Sequence, residues 1–160
     1  MLIGVGAGGL AATLIDLRTR RVPNALTLSL AVAGVTLAGA GEGRFGFVLA
    51  VAGGLLGVAL MLPGYLFGGT GGGDLKLLAA LGTFLGPGRT LTAFVAMAIA
   101  GGVIALMVAA YRGRLRSTLD RTARIVARVT DRGDINNVEM DNTFAYAPAI
   151  AIGALFAALR

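Results

Sequence analysis

Gly68-Gly69-Thr70-Gly71-Gly72-Gly73-Asp74-Leu75-Lys76 joins two apolar stretches, residues 45–67 before it and 75–86 after it. Five of the six residues preceding Asp74 are glycine, so the backbone there can approach another group closely, or move. A carboxylate at the edge of an apolar segment is costly, and in a membrane protein it marks a functional site by default. One other acid has a comparable place: Asp16 follows directly on the apolar run 2–15.

Composition sets the class around these two acids. Of 160 residues, 56% are hydrophobic and only 14% charged, against about a quarter charged in soluble domains. Twenty-six glycines and no tryptophan suit a bundle of membrane helices packed through small residues. The expected fold is all-α: a single membrane-embedded domain over residues 1–160. With no cysteine and no histidine, Ser–His and Cys–His hydrolysis and Cys/His zinc sites are excluded. No metal or cofactor is expected.

The apolar segments are 2–15, 25–40, 45–67, 75–86, 91–111 and 144–159. Crossing the hydrocarbon takes about 20 helical residues. Segments three and five reach that length; the first, fourth and sixth are short and need polar or glycine extensions or a thinned bilayer. Six crossings put the loops 16–24, 68–76 and 112–142 on one side. Those loops hold eleven of the fourteen basic residues, and only Arg44, Arg89 and Arg160 fall on the other. This bias predicts an N-terminus outside and both acids at the cytoplasmic face. A re-entrant fourth segment would reverse the long basic loop, against the bias. Segment 2–15 lacks a basic leader region and reads as a retained helix rather than a signal peptide. The basic residues behind the net charge of +6 fall mostly in loops between apolar segments, the footprint of membrane topology, so no nucleic-acid partner is expected.

Parity brings Asp16 and Asp74 to one membrane face, because two crossings separate them. Two carboxylates brought together cannot both ionise cheaply and share a proton. One then serves as base toward water and the other as acid toward a carbonyl. Each acid also has a plainer reading. Asp16 beside Arg18, Arg20 and Arg21 matches a solvated juxtamembrane charge, and Asp74 matches an acid favoured at a helix start. The glycine run is no phosphate-binding loop, since no Gly-Lys-Ser/Thr follows it. It reads as a flexible loop or as a hinge admitting a substrate backbone beside Asp74.

Asp16-Leu17-Arg18-Thr19-Arg20-Arg21-Val22-Pro23-Asn24 resembles the first aspartate motif of the type IV prepilin peptidases, and Gly71-Gly72-Gly73-Asp74-Leu75-Lys76 resembles their Gly-x-Gly-Asp-x-Lys motif. Residues 144–151 look like the family's final helix. The order and spacing match over nearly the whole chain. The resemblance implies a membrane aspartyl endopeptidase that cuts the basic leader from prepilins or pseudopilins at the cytoplasmic face of the bacterial inner membrane. It implies Asp16 and Asp74 as the catalytic pair, with Gly71, Gly72, Gly73, Lys76, Pro23 and Asn24 binding substrate or supporting the site. The likeness is to the short form without the cysteine-containing insertion of larger members, so methyl transfer is not expected. Thr70 stands where many members have methionine, and Ala145 where a proline often precedes the aromatic residue.

Lys76, two residues past Asp74, points away from it if that segment is helical. Pro23 suits the first turn of the second helix. In the loop 112–142, Leu115, Leu119, Thr122, Val126 and Val129 form one stripe and the arginines lie mostly elsewhere. This predicts an amphipathic cytoplasmic helix on the anionic leaflet, whose acidic end (Asp131, Asp134, Glu139, Asp141) is a candidate contact for a basic leader. Glycines four apart (Gly4/Gly8, Gly53/Gly57, Gly82/Gly86) allow close helix contacts without naming an interface. The alternative function is a small proton-coupled transporter using the same two acids as a relay, although no inverted repeat is visible. A non-catalytic subunit packed through glycine would not need both acids.

Overall fold

The computed structural model describes residues 2–19, 22–66, 70–111 and 147–159. All four elements are helices: α1 (Leu2–Thr19), α2 (Asn24–Leu66), α3 (Gly72–Tyr111) and α4 (Ala147–Leu159). No strand occurs among the described residues. Two compact units are distinguished. One comprises residues 1–100 and 143–160; the other comprises 101–142, whose described part is the end of α3. The amphipathic segment expected within 112–142 lies outside the described residues, as do residues 144–146 of the last motif.

The two long helices are each bent at a glycine. Gly43 (φ 62°, ψ −140°) breaks α2 and Gly86 (φ 71°, ψ 173°) breaks α3. Both conformations are open to glycine and strained for other residues. Residues eight apart in a straight helix stand roughly 12 Å apart along the axis. Here a methyl group on Gly46 would run into the Ala38 carbonyl, and Thr90 Oγ1 comes within 3.5 Å of the Gly82 oxygen. Each bend therefore turns the second limb sharply back on the first. The expected loops at 41–44 and 87–90 reduce to single-glycine reversals, with Pro87 opening the second limb of α3 where its missing N–H costs little. Among the described residues, the two bends divide the four helices into six helical segments. The helical stretches Asn24–Leu66 and Gly72–Ile104, each interrupted by its glycine bend, are long and apolar enough to cross a membrane by length and composition, and Ala147–Leu159 is a shorter apolar helix.

Packing in the first unit runs through small residues. The buried side chains include Ala12, Ala50, Ala80, Ala93, Ala154 and Ala157, while Leu10, Leu14, Leu28, Leu37, Leu55 and Phe45 face outward. Leu77, Leu78 and Leu81 at the start of α3 are buried as well, so the interior mixes small residues with a few large ones while many large apolar side chains face outward. Lipid is as apolar as leucine, so only close fit selects what lies inside. Helix α1 packs along α4, with Gly9 against Ala151. The second limb of α2 meets the first limb of α3 where Gly53 faces Gly82 and Gly86, and Gly57 faces Ala79. Gly53 thus meets both members of the 82/86 pair, while Gly57 packs one turn further on against Ala79. On the other flank of α3, Gly34 lies against the Thr83 side chain, whose hydroxyl donates to the Ala80 carbonyl (2.7 Å).

Candidate active site

Asp16 lies in the last turn of α1, and Asp74 in the first turn of α3. Both are buried, at 6% and 8% exposure, and their carboxylates lie within electrostatic range of each other. The structure thus brings together two acids separated by 57 intervening residues. Asp16 Oδ2 is buried with no hydrogen-bond partner among the described residues. Such an oxygen is costly to leave unmet and marks a position kept for chemistry more often than for packing.

The start of α3 explains how Asp74 is held. The Gly71 carbonyl accepts from the amides of Asp74 (3.1 Å) and Leu75 (3.3 Å), which makes Gly71 the cap residue. The Asp74 carboxylate in turn takes a backbone hydrogen bond at Gly71, in the manner of a capping box. Helix-start chemistry therefore orients the acid, and the capping and paired-acid readings of Asp74 coexist. The glycine run differs from the expected loop: Gly72 and Gly73 are already helical. Their lack of side chains serves close approach instead. A methyl group on Gly73 would stand 3.3 Å from Val22 Cβ, and one on Gly72 would stand 3.3 Å from the Tyr65 ring. Thr70 donates its amide to the Gly64 carbonyl (3.1 Å), closing the turn between α2 and α3.

The first motif forms the other wall. Pro23 falls one residue before α2 rather than inside its first turn, and its carbonyl caps that helix by accepting from the amides of Leu26 (3.1 Å) and Thr27 (3.3 Å). Asn24 opens the helix, and its Oδ1 accepts a 3.0 Å hydrogen bond from Lys76 Nζ. Lys76 does turn away from Asp74, as helix geometry requires, but toward Asn24 rather than into solvent alone. Sequence reasoning singled out both residues without finding this bond. It also passed over Val22 and Tyr65. Val22 sat inside the quoted motif as an apolar residue between arginines and a proline; nothing local marked Tyr65.

A bundle of apolar helices, two of them long and apolar enough to cross a membrane, with two buried carboxylates within electrostatic range of each other, defines a class: all-helical proteins of membrane-type composition with an ionisable site at helix ends. Comparison narrows it. A model of the type IV leader peptidase family matches residues 4–106. Two curated proteins, each a prepilin leader peptidase/N-methyltransferase of Burkholderia pseudomallei (strains 1026b and K96243), are 43% identical over 119 residues. The match covers 71% of this chain and 38% of theirs. The chain belongs to the type IV leader peptidase family, and spans well under half the length of these relatives. No solved structure matches it.

Proposed function

We propose that the chain is a membrane aspartyl endopeptidase that removes the basic leader from prepilins or pseudopilins at the cytoplasmic face of the bacterial inner membrane. The observation that carries this reading is the pairing of Asp16 with Asp74, two buried carboxylates within electrostatic range in a chain of this family. The six helical segments cross the bilayer with the N-terminus outside, as the distribution of basic residues requires.

The chemistry uses one shared proton. The ionised carboxylate takes a proton from water as its oxygen bonds to the scissile carbonyl carbon. The protonated carboxyl gives its proton to the carbonyl oxygen, so the tetrahedral intermediate carries no full charge. Collapse breaks the C–N bond, and the leaving nitrogen receives the proton that water gave up. Which acid plays which part is a property of the coupled pair rather than of either residue. The proposal covers leader cleavage only; the methyl transfer named for the curated relatives is not part of it. No observation favours the transporter reading.

Co-expression with a prepilin tests this. Leader removal, followed by gel shift, is expected for the wild type and is lost to background in both Asp16→Asn and Asp74→Asn at normal membrane abundance. Normal processing by either variant removes the pair from the mechanism.

A further inference from the structure

We propose that the Asn24–Lys76 hydrogen bond is a positioning clasp that sets the separation of the Asp16 and Asp74 carboxylates; this rests on reading those acids as the hydrolytic pair. Two contacts join the segment after α1 to the first turns of α3: Val22 against Gly73, and Lys76 Nζ on Asn24 Oδ1. They bracket Asp74 in sequence. Val22 and Asn24 are six and eight residues from Asp16, which occupies the last turn of α1. Where residues 22–24 are held therefore constrains where the end of α1 lies. Helix ends fray and tighten readily, so an anchor just beyond α1 controls the position of an acid in its last turn.

The chemistry of the bond suits this role. Lysine offers three donors on a flexible stem, and the acceptor is a neutral amide. An ammonium paired with either carboxylate would hold that acid ionised and oppose the sharing of one proton. Asn24 gives the ammonium a partner that leaves both acids to each other. The bond is local to neither motif: it spans 52 residues and ties the start of α2 to the start of α3.

The chain contains no cysteine, so an Asp16→Cys/Asp74→Cys pair reports the separation of the two positions without competing thiols. The rate of oxidant-driven disulfide formation is measured in membranes for that pair alone and combined with Lys76→Met, Asn24→Leu or the exchange Asn24→Lys/Lys76→Asn. Each single truncation is expected to slow cross-linking about fivefold, a modest factor for a charge-assisted hydrogen bond because the pair is exposed, and the exchange to restore it. Both residues are exposed, so neither truncation opens a core cavity, and Asn24→Leu carries the test if Lys76→Met fails to accumulate. An unchanged rate in either truncated variant overturns the clasp, and so does an exchange that stays slow. With both acids restored, the truncations are expected to lower kcat by the same factor at unchanged KM, and the exchange to recover it. If Asp16→Asn or Asp74→Asn processes prepilin normally, the hydrolytic reading fails whatever the cross-linking shows. If both lose processing while cross-linking ignores Lys76 and Asn24, the clasp alone fails.

Discussion

Val22 lies directly on Gly73, with its Cβ 3.3 Å and its amide nitrogen 3.5 Å from where a Gly73 side chain would begin. One residue further along the helix stands Asp74. Gly73→Ala has two opposed effects. Alanine favours the helix by up to about 1 kcal/mol, while the added methyl pushes the first motif away from the second. The variant is expected to accumulate normally yet cleave leader about tenfold more slowly, because small misplacements of reacting groups are expensive. Adding Val22→Gly removes the β-carbon contact and is expected to recover part of the rate, read as initial velocities on gels, whereas Val22→Ala keeps that carbon and recovers little.

The contact of Gly53 with Gly82 and Gly86 is backbone against backbone. A methyl on Gly53 would stand 2.8 Å from the Gly86 α-carbon and closer still to the Gly82 oxygen. No side chain can swing aside there. Gly53→Ala is expected to lose about 1–3 kcal/mol of stability, seen as a lower Tm in detergent. Gly41→Ala, with nothing within 4 Å of its added methyl, leaves Tm unchanged or raises it.

At Gly43 the space is open but the backbone is not: no atom lies within 4 Å, while φ is 62° and ψ −140°. Steric crowding with neighbours plays no part, and the penalty is conformational. Gly43→Ala and Gly43→Asn are both expected to lower stability by about 1–3 kcal/mol. Asparagine brings no relief, since the left-handed helical region it tolerates lies elsewhere in φ/ψ space. Thermal melts of the two variants beside Gly41→Ala check this.

Thr90 is wholly buried and donates its hydroxyl to the Gly86 carbonyl over 2.7 Å, at the reversal of α3. Thr90→Val keeps the shape and deletes the donor, so a loss of about 1–3 kcal/mol is expected. Thr92 makes the analogous 3.3 Å bond to Gly88 in an exposed setting. Thr92→Val is the matched control and should change Tm little.

The Asp16 and Asp74 charges oppose each other in a buried place, which costs stability for the sake of the site. Asp16→Asn removes one charge at nearly constant volume. It is expected to melt at or above the wild-type temperature, by up to about 1 kcal/mol, while abolishing cleavage. A marked loss of stability in this variant would show that Asp16 serves mainly to hold the fold.

Much of this arrangement is legible along the chain because it depends on neighbours. Apolar runs spaced by glycine and charge specify helices and their ends, since helical hydrogen bonds and caps reach only three or four residues. Asp74 with the glycines before it, and Asp16 with its basic stretch, stand out because acids at the edge of apolar segments are rare. Parity predicts that the two acids share one membrane face. It carries no information on their distance.

Contacts across long stretches of chain were decided by the tertiary fold. Lys76 finds its acceptor 52 residues upstream, and nothing beside it in sequence points there. In a chain with 26 glycines, the meeting of Gly53 with Gly82 and Gly86 could not be singled out from the many similar spacings. Such contacts arise from the close fit of small faces between helices, and fit is a property of pairs of surfaces rather than of either sequence segment alone.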